Sequence, residues 1–241
     1  MGSWKRLTKP RFLFVYPLGV TLFLMSRVTE TSLRIGLVVI VLGQIVRLWA
    51  NGYVGHQKVN WTQKWRGDAK IGRLTTAGPY AFVRHPLYLG TFLIGTGFCI
   101  AVGYVWASVL AFAGFWWAYR VKMTQEEALL QDECGKEYSA YHAAVPRLLP
   151  FRPPYRHRNG TWKWAGVVAS KEWKTVIWVT VVIIGLYFWE ERIQEREPFF
   201  GEHAEWRVLL VVIVIALASI DGAMELRKRR ARQAGQPAAA A

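Results

Sequence analysis

The sequence predicts an all-α integral membrane protein of about six transmembrane helices, with a cytoplasmic helix following a transmembrane hairpin. Three observations lead there. The apolar residues, 53% of 241, fall in blocks instead of spreading evenly. Six of these blocks, 11–27, 33–50, 87–103, 104–119, 175–189 and 206–224, lie near the roughly 20 residues that a bilayer core of about 30 Å requires. With the N-terminus in the cytoplasm, the basic residues collect on one side: segments 1–11, 51–86, 120–174 and 225–241 hold 25 of the 31 Lys and Arg. This is the positive-inside asymmetry.

The net charge of +15 is therefore an orientation signal, and no nucleic-acid partner is expected. The opposite side keeps Arg27, Arg34, Arg192, Arg196 and Arg207, Arg47 falls within a span, and the loop 190–205 is rich in Glu. Trp49, Trp116, Trp117, Trp173, Trp189 and Trp206 fall near span ends, as interfacial aromatics do. Cys99 and Cys134 are placed in different compartments and imply neither a disulfide nor a metal cluster. No small-residue cleavage site follows the first apolar run, which reads as retained.

Three regions follow along the chain: two N-terminal spans over 1–53, a central region over 54–153, and a linker with two further spans and a basic tail over 154–241. In the polar stretch after the second span, Trp61 and Trp65 stand four apart. That spacing suits an amphipathic interfacial helix, and a soluble loop fits the stretch nearly as well. The apolar run 87–119 would be about 50 Å long as one helix, too long for a single crossing. A tight hairpin turning near Gly103 and Tyr104 returns both ends to the cytoplasm. Residues 120–143 are rich in helix formers and end ahead of Pro146, so they extend the second arm of the hairpin. The four prolines of "VPRLLPFRPPYRHRNG", 145–160, mark a loop and a boundary. Segment 175–189 is the weakest span and also suits a re-entrant element, and "ELRKRRARQ" closes the chain as a basic tail.

The hairpin joins two polar groups. Arg84 and His85 precede Pro86 at one end, and Glu126 and Glu127 lie on the helix leaving the other. Lys122, Glu126, Leu130, Glu133 and Glu137 share a stripe of that helix, with Tyr138 and Tyr141 near its end. Alone, an Arg-His-Pro tripeptide is a span boundary and a Glu pair is a solvated helix face. Together, on two ends of one hairpin, they read as a ligand pocket at the bilayer surface.

The segments "GPYAFVRHPLYLG", "QEEALL" and "GKEYSAYHAAVPRLLPF" resemble the isoprenylcysteine carboxyl methyltransferase and phospholipid N-methyltransferase superfamily of membrane enzymes, over about residues 72–151. The resemblance implies a methyltransferase using S-adenosyl-L-methionine at the cytoplasmic surface, the side on which the basic asymmetry places both termini, and a lipid or lipidated acceptor in the bilayer. It implies cofactor contacts from Leu74, Thr75, Tyr80, His85, Pro86, Leu87, Tyr88 and Glu126, catalytic roles for His85, Glu127 and Lys122, and acceptor contacts from Lys122 and Arg84. Two departures bear on the acceptor: Lys122 stands where the prenylcysteine enzymes carry an arginine, and Gly72-Arg73 stands where the eukaryotic ones have a histidine. Both favour a lipid over a prenylated protein, as do Gly95 and Gly97, whose close helix packing leaves a narrow side entrance. A sterol-type, NADPH-dependent reductase shares the Arg-His-Pro segment, yet this chain has Leu87 and Thr91 where that pattern has Asn and Glu. A non-catalytic lipid- or partner-binding membrane protein is the third reading.

Overall fold

The computed structural model describes residues 26–55, 74–191 and 204–234. Nearly all of the expected span 11–27 lies outside these residues, and so does the segment with Trp61 and Trp65. Every regular element among the described residues is helical. The chain divides into two compact units, 1–172 and 173–241.

The first unit begins with α1, Glu30–Val54, which starts where a capping box satisfies its first orphan amides. The Thr29 hydroxyl accepts from the Ser32 amide at 3.1 Å, and the Ser32 hydroxyl accepts from the Thr29 amide at 3.0 Å. Helix α2, Pro86–Ala101, opens with proline at its first position, where no amide partner is lost. The two helices touch backbone to backbone. A Cβ on Gly43 would sit 2.7 Å from the Gly90 carbonyl oxygen, and one on Gly97 would sit 2.7 Å from that of Gly36. Gly97 therefore packs as expected, whereas Gly95 faces open space.

Helix α3, Val105–Ala144, follows a turn at Gly103. That residue has φ +81°, and a Cβ there would meet the Arg27 carbonyl oxygen at 2.2 Å, so only glycine fits. The pairs Tyr88–Tyr119 and Phe92–Phe115, with ring centroids 5.1 and 5.7 Å apart, set α2 and α3 antiparallel. The expected hairpin is therefore present, and its second arm runs on as one 40-residue helix, broken only at Gly135 by a φ of +51°. Glu126 and Glu127 lie in the middle of this helix.

Residues 145–163 do not separate two domains. The amides of Arg84 and His85 donate to the carbonyls of Pro146 and Arg147, Tyr155 donates to Ala81, and Thr76 and Ala77 both donate to Asn159. The proline-rich segment thus straps the 74–85 stretch by main-chain hydrogen bonds. Helix α4, Trp164–Ser170, continues against the end of α1, where the Lys163 amide donates to the Gly52 carbonyl at 2.8 Å.

The second unit consists of α5, Glu172–Trp189, whose first residue belongs to the first unit, and α6, Ala204–Ala234. Lys174 pairs with Asp221 at 3.2 Å and Arg207 with Glu191 at 2.6 Å, an antiparallel arrangement pinned at both ends by charge. The sequence "ELRKRRARQ" is not a separate tail. It continues α6, consistent with its Arg, Lys, Leu and Ala content.

Among the described residues, three helices are long and apolar enough to cross a membrane: Glu30–Val54, Glu172–Trp189 and the stretch Ala204–Ala223. Helix α2 is apolar but shorter, at 16 residues. Ile35, Val38, Leu42 and Ile45 of α1 are exposed, as lipid-facing residues are.

Candidate active site

Arg84 and His85 are delivered by a short 3-10 turn, Gly78–Ala81, and the irregular residues that lead from it into α2. Glu127 comes from the face of α3 turned toward them. All three are buried. The Arg84 Nε donates to Glu127 Oε1 at 3.0 Å, and His85 Nε2 meets the same oxygen at 3.0 Å. Arg147 adds a two-pronged contact, its Nε donating to Oε1 at 3.1 Å and an Nη to Oε2. Burial alone would raise the Glu127 pKa. The hydrogen bonds from His85 and Arg147 and the charge of Arg84 outweigh it and hold the carboxyl far below the usual carboxylate range. Arg84 is equally committed, since its Nη1 also donates to the carbonyls of His142 and Val145 at 2.9 and 2.6 Å. A carboxylate can only accept, so the His85 Nε2 carries the proton, and Nδ1 is turned toward Glu126 Oε2 at 3.7 Å.

Glu126, one residue away, has a different environment. The Tyr88 hydroxyl donates to its Oε1 at 2.7 Å. Around Tyr88 lie the rings of His85 and Tyr119, at 5.6 and 5.1 Å, and the Lys122 ammonium at 5.6 Å. This corner is lined by aromatic faces and one carboxylate. The Tyr80 hydroxyl is fully buried and has no hydrogen-bond partner among the described residues. Burial, reinforced by the Glu126 charge and opposed by Arg47, pushes this phenol well above its ordinary range, so it stays protonated as a donor.

Of the residues singled out in the sequence, Arg84, His85, Tyr88, Lys122, Glu126 and Glu127 come together. Pro86 is the buried first residue of α2. Leu87 packs beside Tyr80 in a cluster with Ala50 and Val54. Leu74 joins a separate core with Leu130, Tyr138, Tyr141 and Val145. Tyr138 and Tyr141 are therefore core residues and not pocket walls; Tyr141 donates to the Tyr80 carbonyl at 2.8 Å and fixes the turn from behind. Thr75 lies near Gly160 of the strap. Of the expected charged stripe, Leu130 is buried while Lys122 and Glu137 face outward.

Two contributors were missed. Arg147 lies in the proline-rich loop, where nothing in the pattern links it to Glu127. Arg47 had a signal, being a cation inside an apolar helix. Its partner Glu172, 125 positions away, had none.

Residues 31–137 match the family model described as phospholipid methyltransferase. That segment runs from α1 through the Gly135 break, and the curated proteins it is similar to are named as isoprenylcysteine methyltransferases. Among the relatives is a protein-S-isoprenylcysteine O-methyltransferase of Schizosaccharomyces pombe, 35% identical over 80 residues, which are 33% of this chain and 34% of the relative. The Homo sapiens protein of the same name is 31% identical over 116 residues, 48% of this chain and 40% of that one. That of Dictyostelium discoideum is 29% identical over 115 residues, 46% of each. The chain spans less than half the length of these relatives. No solved structure matches it significantly.

Proposed function

We propose that this protein is a membrane-embedded methyltransferase that uses S-adenosyl-L-methionine and acts on a lipid or lipidated acceptor. The observation that carries the reading is the contrast at the site: the Glu126 carboxylate and aromatic faces beside a cation-paired Glu127, with a buried Tyr80 hydroxyl that has no partner among the described residues. These groups fit the cofactor. A carboxylate accepts from an amino group or ribose hydroxyls, aromatic faces suit a cation, and Tyr80 offers a donor. Glu126, Tyr80, Tyr88, His85 and Leu87 would hold it. When bound, the cofactor supplies a methyl group on a sulfonium sulfur, with a neutral thioether as leaving group.

The chain's own residues then have distinct tasks. Glu127 fixes the ring of His85 through Nε2 and turns Nδ1 toward Glu126, while a carboxylate acceptor needs no base. Holding the two reactants in line accounts for about 7–11 kcal/mol of the barrier. With Glu127 held by cations, its role is positioning, and Arg84 has four of its five donors committed to Glu127 and to the carbonyls of His142 and Val145. Lys122, exposed beside Tyr88, remains the cation for an anionic head group. A lysine meets a phosphate or a single carboxylate oxygen as a point charge, which favours a lipid over a prenylated protein. The basic asymmetry supports a cytoplasmic site, cytoplasmic termini and about six spans.

Thermal unfolding of the detergent-purified protein tests the reading. S-adenosylhomocysteine at 100 times its Kd should add about 2.7 kcal/mol of stability. A shift with NADPH and none with S-adenosylhomocysteine would favour the reductase reading, and no shift with either would favour a non-catalytic one.

A further inference from the structure

We infer that Glu172, which lies outside the segment matching the family, is a positioning residue for the cofactor site and acts through Arg47. Glu172 is buried at the start of α5. Its carboxylate accepts from Arg47 Nε at 2.5 Å and from Nη2 at 3.0 Å, a two-pronged pair. Asn51 Nδ2 donates to the same group at 2.8 Å, and Gln44 Nε2 does so at 3.4 Å. This carboxylate is therefore anchored to three residues of one face of α1.

The consequence lies on the other side of the guanidinium. Arg47 Nη1 donates to the Leu87 carbonyl at 3.3 Å and to the Thr91 hydroxyl at 2.5 Å. Both acceptors belong to the opening turns of α2. His85 caps that helix, and Tyr88, which holds Glu126, stands between Leu87 and Thr91. Because the guanidinium is planar and its donors form a rigid fork, fixing two of them on Glu172 fixes the direction of the third. Glu172 also neutralises a cation that α1 otherwise carries unpaired inside an apolar helix. Without it, Arg47 keeps its charge and reorients toward another acceptor, and the opening of α2 loses its rear support. The chain beyond the family segment thus reaches back to set the aromatic corner.

This inference rests on the proposed methyltransferase reading. Calorimetric titration of the full-length protein with S-adenosylhomocysteine separates the two, because loss of folded protein lowers the binding stoichiometry and mispositioning raises Kd. Glu172→Gln should raise Kd at least tenfold at unchanged stoichiometry, with Glu172→Asp intermediate. Thr91→Val leaves the ion pair intact and should raise Kd about threefold; it decides the matter if Glu172→Gln does not fold. Unchanged Kd in Thr91→Val and in every Glu172 variant that folds would overturn the inference. A wild-type protein that does not bind at all overturns the methyltransferase reading, and this inference with it.

Discussion

Glu126 and Glu127 are neighbours on one helix, yet their surroundings are opposite. Glu127 takes hydrogen bonds from Arg84, His85 and Arg147, whereas Glu126 has the Tyr88 hydroxyl and a distant His85 nitrogen. Successive helical residues point about 100° apart, so one step along α3 turns a carboxylate from the strap-covered side to the aromatic corner. A sequence that places two carboxylates together need not use both for chemistry. The one saturated with cations organises the elements that bring those cations, and the one with spare acceptor capacity meets the ligand.

The largest expected effect follows from breaking the saturated side. Glu127→Gln leaves the buried Arg84 and the half-buried Arg147 without their anion and should destabilise the protein by about 3–5 kcal/mol, read by thermal unfolding in detergent. The pH dependence has a definite sign. The Glu127 pKa is depressed in the folded state, so its contribution is fully present above the unfolded carboxylate value of about 4.3 and fades as pH falls through the depressed folded value. The stability gap between wild type and Glu127→Gln should therefore be widest near neutral pH and narrow in acid. A gap independent of pH would mean that the charge on Glu127 is not what holds Arg84 and Arg147.

A smaller effect sharpens the other side of the comparison. Tyr80→Phe removes a buried hydroxyl that no group among the described residues uses. Folding stability should stay the same or rise slightly, since an unsatisfied polar group is lost. Affinity for S-adenosylhomocysteine should fall by about 0.5–1.5 kcal/mol, one neutral hydrogen bond. Unchanged affinity by calorimetry would take Tyr80 out of the ligand site.

The part of the site closest in sequence was the most legible. A 33-residue apolar run with Gly103 inside it requires a turn, and a turn there brings "RHP" and "QEE" to the same end. Fewer than 45 positions separate Arg84 from Glu127, and the hairpin covers most of them. What stayed hidden depends on contacts without a side-chain pattern. The proline-rich loop read as a boundary because prolines exclude helix. Its carbonyls nevertheless accept the Arg84 and His85 amides, and main-chain hydrogen bonds leave no trace in residue types. Tyr138 and Tyr141 read as pocket aromatics because helical spacing near a charged stripe does not say which face is covered. Packing against Leu74 and Val145 covers it. Arg47 stood out against its apolar helix, but its partner Glu172 stands 125 positions away, and no local periodicity links the two.

The division of labour between the two glutamates is tested most directly by S-adenosylhomocysteine calorimetry on Glu126→Gln, paired with its thermal unfolding. The substitution should weaken binding by about 1.5–3 kcal/mol, the range for a hydrogen bond to a charged group, and leave the midpoint of unfolding close to that of wild type. Wild-type affinity in Glu126→Gln, together with a large loss of stability, would contradict the account and make Glu126 a second structural carboxylate.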